Sequence, residues 1–475
     1  MAARPLGLAP RKVFDGYGFV VRAASPTVRP RDAAEVAEVF RRASTEGIPV
    51  GLRANGRSYG DASLNTRGVV LDVMGMNRIL SLDSERGIVE VEPGVTIGDL
   101  WRHVLPHGWW PTVVPGTMHA TLAGCAAMNV HGKNHYKVGG TGDSILDADL
   151  VTPDGVVRRI SREDDPALFR AAVGSFGTLG AFTRIRLQLK RIGSGRMRVW
   201  QIPAPSLDAQ FEVFDRHTGD SDYLVSWVDC IAGGSGLGRG QAHRAVYLHG
   251  DEDPDGAAML APERQDLPGH ILGVPKALVP KILRLFSFNA GMGLLNTGKY
   301  LASAMGPRAP YLQAHVAFQF LLDYVPGFRS AYEPGGFIQY QPFLPKETAR
   351  ETLRTILART QAAGLVSYLG VLKRHRPDDF LLSHALDGYS LAMDFPVTAS
   401  NRADLFRLCH DLNDLVCEAG GRFYPAKDLT MRPQDFGRAW GQDRLATLAS
   451  LRARVDPEGV LRTDLAARVG ALAVG

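Results

Sequence analysis

Cysteine is scarce in this chain. Four residues of 475 (Cys125, Cys230, Cys409, Cys417) lie scattered, with no C-x-x-C. That excludes a disulfide scaffold and fits reduced thiols in a reducing compartment. No uncharged apolar run is long enough to cross a bilayer, and Met1 to Val21 lacks the apolar core of a secretory signal. A cytoplasmic or peripheral-membrane location is therefore expected. Lys and Arg exceed Asp and Glu by only five, without a basic block or repeat, so no nucleic-acid partner is expected. Metal-ligand spacings such as H-E-x-x-H are absent, and no metal is expected. No G-x-G-x-x-G follows a strand, so a Rossmann nucleotide site lacks its main signal.

Two stretches, by contrast, are dense in glycine and small residues. One is Arg53-Ala54-Asn55-Gly56-Arg57-Ser58-Tyr59-Gly60-Asp61. The other runs through Pro115-Gly116-Thr117, Ala123-Gly124-Cys125-Ala126-Ala127 and His131-Gly132-Lys133-Asn134-His135. Glycine lets a ligand approach bare backbone, and successive exposed N–H groups make anion-binding concavities. Two such loops in one unit point to a long ligand with a diphosphate in its middle.

Length alone favours two domains. Asp32 and Glu35 predict a capping box for a helix that Gly47 stops, and Ile48 to Leu52 reads as a buried strand. Short strands are expected at Val69–Val73, Ile88–Val91 and Arg184–Leu189, a hairpin around Pro153-Asp154-Gly155, and a helix from Thr96 to Leu105. Strands without regular crossover helices favour an α+β fold over a doubly wound sheet. A composition shift near Lys190 to Arg196 marks a boundary. The expected division is 1–195, then 196–415 with an insertion at about 267–304, then a helical segment 416–475 returning to the first domain.

The insertion is informative in itself. No acidic residue occurs between Asp266 and Asp323, while Lys276, Lys281, Arg284, Lys299 and Arg308 stand among apolar residues. Such a segment suits anionic lipid headgroups. It equally suits a cover over a pocket, with Pro268, Pro275 and Pro280 preventing one long helix.

Gly56-Arg57-Ser58-Tyr59-Gly60 also fits G-x-S-x-G, a hydrolase nucleophile elbow, which would make Ser58 a nucleophile. That elbow needs a helix directly after the serine. Here a turn-like segment leads to a strand, so the context fails. Ser58→Ala is expected to weaken cofactor retention rather than abolish an esterase activity.

The glycine loops, with Glu92-Pro93-Gly94-Val95-Thr96 and Gly174-Ser175-Phe176-Gly177-Thr178-Leu179-Gly180, resemble the flavoproteins of the vanillyl-alcohol oxidase / p-cresol methylhydroxylase (PCMH) type. The resemblance implies a two-domain fold, a PCMH-type FAD-binding domain joined to a substrate domain on an antiparallel sheet. Many members tether FAD through a histidine; here that position is Arg57, which cannot form the bond. Cys125 is a small packed residue on this reading, and the FAD is expected to be non-covalent. The cofactor-lining places are Asn55, Gly56, Arg57, Ser58, Tyr59, Gly60, Gly116, Thr117, Thr121, Gly124, Cys125, Ala127, Met128, His131, Gly177 and Tyr424.

Within that superfamily the chain is similar, from about Phe19 to Arg462, to the family of decaprenylphosphoryl-ribose 2′-oxidases. The likeness rests on His131 to His135, Phe337-Ile338-Gln339-Tyr340-Gln341, Met393-Asp394-Phe395-Pro396 and Phe423-Tyr424-Pro425-Ala426-Lys427-Asp428. It implies hydride transfer to flavin N5 from a lipid-phosphate-linked pentose, giving a 2′-keto sugar that a short-chain reductase partner returns as the inverted alcohol. It also implies places around the sugar for Lys133, Trp227, Gln319, Gln339, Gln341, Lys373, Ser390, Ala392, Asp394 and Lys427. Lys427, Tyr424 and His131 are the catalytic candidates, Lys427 to orient the hydroxyl or steady charge, Lys427 or Tyr424 to relay the proton. Where the family carries a cysteine, an asparagine and a tyrosine, this chain has Ala392, Ser390 and Gln319. Thiol-directed inhibitors are therefore expected to fail.

Without the resemblance these residues have ordinary readings. Lys427 makes a surface pair with Asp428, His131 is a structural histidine, Trp227 fills a core, and Gln339 and Gln341 form the polar side of a strand. A soluble aldonolactone or alditol oxidase and a lipid- or partner-binding module without catalysis are the remaining alternatives. Deleting Leu267 to Ala304 is expected to impair a lipid-linked reaction and spare a free sugar.

Overall fold

The computed structural model describes residues 5–472 except 250, 266, 268, 272, 273 and 326. Met1, Asp266, Pro268 and Gly475, to which expectations above refer, lie outside them. The architecture is α+β, with three main sheets that follow one another along the chain.

The first sheet has β1 (Arg11–Asp15), β2 (Arg22–Val28), β3 (Val50–Arg53) and β4 (Val69–Asp72) in the order β1-β2-β4-β3. The helix Ala33–Glu46 packs on it through Val36, Ala37, Phe40 and Ala43. Asp32 caps that helix by accepting from the Glu35 amide, and Gly47 ends it in the left-handed region at φ 63°. The expected box is half formed, because Glu35 binds the Arg31 backbone and guanidinium instead. The strand predicted from Ile48 begins at Val50. The Thr96–Asp99 capping box forms as expected.

The second sheet comprises β5 (Ile79–Asp83), β6 (Ile88–Val91), β7 (Trp109–Pro111), β8 (Ile145–Val151), β9 (Val157–Ser161) and β10 (Ala181–Arg191). After it come β11 (Arg196–Ala204), β12 (Tyr223–Val228), β13 (Gly240–Tyr247), a two-residue hairpin β14 (His270–Ile271) and β15 (Val274–Pro275), then β16 (Tyr311–Ala314), β17 (Phe337–Tyr340), β18 (Pro342–Pro345), β19 (Leu369–His375), β20 (Gly388–Pro396) and β21 (Arg422–Phe423). Apart from the hairpin these form one sheet in the order β16-β11-β13-β12-β19-β20-β18-β21, with β17 also on β20. All its pairings are antiparallel. The end of the chain returns to the first sheet: Leu461 bridges Val50, and Asp464 accepts from Thr66.

In the insertion, Val279–Leu285 and Asn289–Met305 are two helices. Pro280 does not break a helix; it occupies the first turn, where its missing N–H costs nothing. The interruption falls at Phe286 to Phe288, without a proline.

Candidate active site

Side chains alternate across a strand, so one face of the large sheet gathers every second residue. Cross-strand register places His243 opposite Val225, Gln241 and Val371 opposite Trp227, Ala392 opposite Val371, Ser390 opposite Lys373, and Gln339 opposite Asp394. That face is the floor of a cavity of about 740 Å³. The opposing wall is made by residues 52–59, 114–131, 176–182 and 424–427, and the insertion helices contribute Leu283, Ser287, Met292, Leu295, Asn296 and Lys299.

The glycine loops are built into this wall. Asn55 ties them together by donating to the His119 carbonyl at 2.8 Å. Gly56 has φ +61°, and a Cβ there would lie 2.1 Å from the Arg53 guanidinium. Gly177, at φ +80°, also lines the cavity. Fourteen of the sixteen expected cofactor residues lie on the lining, the exceptions being Gly60 and Cys125. Gly60 is glycine for a different reason: its Cβ would meet the Asp428 carbonyl at 2.3 Å. Cys125 is buried beneath the lining, and burial pushes its thiol up to about 12. The Thr117 hydroxyl is donated to Asp323 at 2.8 Å, which also accepts from the Met118 amide.

Of the expected sugar-side residues, Lys133, Trp227, Gln339, Gln341, Lys373, Ala392 and Lys427 line the cavity. Gln319, Ser390 and Asp394 do not. Ser390 is covered because it bonds His375 at 2.7 Å and Gln341 at 3.1 Å. Asp394 is covered by Gln339, which donates to it. Gln319 is buried at the end of the helix His315–Gln319.

Lys427 is not in a surface pair. Asp428 is bound by Arg468 at 2.8 Å, and the Lys427 ammonium lies 3.6 Å over the Tyr59 ring. Burial lowers Lys427 to about 7, with Asp394 opposing and Lys373 reinforcing the shift. Burial raises Asp394 to about 6, against the Gln339 hydrogen bond and Lys427. Lys373 is lowered to about 8 by burial. Burial holds the Tyr424 phenol well above its usual range, so it is neutral at physiological pH.

His131 sits in a cluster that sequence reasoning missed. Its Nδ1 is 3.1 Å from His384 Nε2, and Gln341 donates to its Nε2 at 3.2 Å. The Tyr424 and His375 rings pack against it. Burial first, then Lys373 and the neighbouring histidines, lowers His131 far below 6.5. Both ring nitrogens are thus engaged within the protein. No local pattern in the sequence announces His375 or His384, which reach the cluster through strand pairing and a loop.

Ser58 has no helix after it: residues 54–68 are turns and irregular backbone up to β4. The nucleophile elbow is absent.

The residues present fit a flavin dinucleotide. Bare backbone at Gly56 and Gly177 faces the cavity, and Arg57 Nε is buried without a protein partner on the same wall. An α+β chain with this wall over an antiparallel sheet is a PCMH-type FAD-dependent oxidoreductase. Residues 24–161 match the family model described as FAD binding domain. The chain is 30% identical over 461 residues, 96% of each chain, to the decaprenylphosphoryl-beta-D-ribose oxidase of Mycolicibacterium smegmatis. Shorter likenesses reach cytokinin dehydrogenase 6 of Oryza sativa (32% identity; 37% of this chain, 35% of that one) and L-gulono-1,4-lactone dehydrogenase of Mycobacterium tuberculosis (30%; 36% and 39%). The chain belongs to the decaprenylphosphoryl-β-D-ribose oxidase family, and its cofactor is FAD.

Acid precipitation is expected to leave a colourless pellet and release FAD to the supernatant. Arg57 offers no nucleophile, and the Cys125 thiol is buried behind the lining. A yellow pellet would show a covalent bond.

Proposed function

We propose that this enzyme oxidises the 2′-hydroxyl of a polyprenyl-phosphoryl ribose to the 2′-keto sugar, the first half of an epimerisation completed by a short-chain reductase. The observation that carries this is the continuity of the cavity. It runs from the glycine loops past Lys427 and Lys373 to two helices that contain no acid. Lipid tail, phosphate and sugar need that succession.

Bound FAD supplies the acceptor for the hydride leaving the carbinol carbon. The glycine loops would hold its diphosphate, with Arg57 beside them. Gln339 and Gln341 orient the sugar. Lys427, held as a neutral amine in part of the population, accepts the hydroxyl proton as the ketone forms. Tyr424 and His131 are positioning residues. His131 holds Gln341 and the Tyr424 ring, and the raised phenol cannot serve as a base. The FAD-binding unit is assigned to residues 1–195 together with 416–475, and the substrate unit to 196–415.

The test is anaerobic addition of polyprenyl-phosphoryl ribose to the yellow holoenzyme. Bleaching of the flavin is expected. Bleaching by aldonolactones or alditols alone would favour a soluble-sugar oxidase, and failure of every alcohol would favour a binding module.

Peripheral membrane contact belongs to the same reading. Leu285 (74% exposed), Leu294 (67%) and Met305 (80%) project from the insertion helices, with Phe288 between them. Deleting the insertion is not a clean test, because its helices also line the cavity. Leu285→Glu with Phe288→Glu is the sharper variant. A drop of at least about 10-fold in binding to phosphatidylglycerol vesicles is expected, with turnover of detergent-dispersed substrate retained.

A further inference from the structure

The described residues lining the cavity include no Asp or Glu, yet Arg53, Arg57, Lys133, Lys299, Lys373 and Lys427 all line it. Such an imbalance is an electrostatic demand for anions. Arg53 is engaged by Ser63, and Arg57 would answer a bound FAD diphosphate at its wall. Lys427 belongs to the chemistry. Lys373 acts on Lys427 and His131 and is counted with them, which leaves Lys299, on a different element and against the sheet floor.

The sequence leaves open whether Lys299, as one cation of the insertion, meets lipid headgroups or covers a pocket. The structure turns it inward. Its ammonium lies 4.0 Å over the Trp227 ring, and no carboxylate stands within ion-pair distance of it among the described residues. The acid that influences it, Asp229, is already held by Arg239 at 3.1 Å, by Asn296 at 3.0 Å and by the Ile231 amide. His243 rises from the strand beside Trp227 and feels both Lys133 and Lys299; burial, then those two charges, lowers it to about 3, so its imidazole is neutral and keeps one N–H to donate. Lys133 is partly spent, since it donates to the Phe318 carbonyl.

We propose that Lys299, over the Trp227 ring, and His243, on the strand paired with that of Trp227, form a subsite for the phosphodiester of the lipid-linked substrate; this rests on the substrate reading given above. The order of groups supports it. Lys427 lies over Tyr59 of the glycine loop and Lys299 over Trp227 of the sheet floor, and the helix that carries Lys299 also carries the exposed Leu294, Leu301 and Met305, so sugar, phosphate and lipid are assigned in that succession. Lysine suits this role as a point charge on a flexible stem.

The test uses the FAD-loaded enzyme with three ligands: farnesyl phosphate, inorganic phosphate and farnesyl-phosphoryl ribose. In calorimetry, farnesyl phosphate is expected to bind the native enzyme, Lys299→Met to weaken that binding about 10-fold to 100-fold, and Lys299→Arg to restore most of it. The flavin spectrum should be unchanged in both variants. With farnesyl-phosphoryl ribose, Lys299→Met should raise KM by a similar factor with kcat little altered. Binding of farnesyl phosphate that ignores Lys299→Met would overturn the subsite. Inorganic phosphate binding as tightly as the prenyl phosphate would reassign it to a free anion and overturn the lipid assignment. If the ribose compound is not oxidised while prenyl phosphate still binds through Lys299, the sugar assignment fails and the subsite stands.

Discussion

Lys427→Met is expected to lower the rate of anaerobic flavin reduction by about 10²-fold to 10⁴-fold, the range for loss of a positioned proton acceptor, while FAD stays bound. The pH dependence carries the sign. Burial brings Lys427 down to about 7, so the neutral amine that can take a proton gains population as pH rises through that region. In the native enzyme, reduction by substrate should therefore accelerate across it and level off above. Lys427→Met should lose that limb. Asp394 opposes the shift of Lys427, so removing its charge in Asp394→Asn lowers the lysine further and moves the limb to lower pH. Stopped-flow reduction across pH 5.5 to 9 reads both effects. A rate that falls with rising pH would assign the work to the protonated lysine instead.

The second large effect concerns stability and the cofactor together. Arg468 clasps Asp61 at 2.8 and 2.9 Å, Asp428 at 2.8 Å and the Met431 carbonyl at 2.6 Å. Asp61 ends the first glycine loop and Asp428 follows Lys427, so one guanidinium near the end of the chain fixes both sides of the cofactor wall. Arg468→Met leaves two largely buried carboxylates without their cation. The expected cost is about 3 kcal/mol, seen as a lower denaturant midpoint, with flavin fluorescence released before tryptophan emission changes. Simultaneous loss of both signals at an unchanged midpoint would show the clasp to be dispensable.

How much of this was legible in the chain varies with the range of the interaction. The caps at Asp32 and Thr96 and the left-handed glycine at Gly47 are decided within a few residues, and they are where the sequence places them. The glycine loops are legible for the same reason, since bare backbone is a local property. Gly60 shows the limit. Its lack of a side chain serves a backbone contact with Asp428, far along the chain, although its neighbours serve the cavity. Gln319, Ser390 and Asp394 were expected at the sugar, but packing against partners from other strands covers them. The insertion that carries Lys299 read equally as a headgroup contact and as a cover over a pocket, and the seating of its helix directs Lys299 into the cavity.

The amino-acid sequence by itself therefore determined the α+β class, the FAD cofactor and the family, because these rest on short-range geometry and on motifs. Tertiary structure alone decided which charges lost their water. Antiparallel pairing of strands distant in the chain set Lys373, Asp394 and His243 on one face, and chain return placed Arg468 behind the glycine loop. Burial in that arrangement lowers the Lys427 ammonium to about 7 and leaves Lys299 without a carboxylate in ion-pair distance among the described residues, and burial is a property of the assembled fold rather than of any residue's neighbours in sequence.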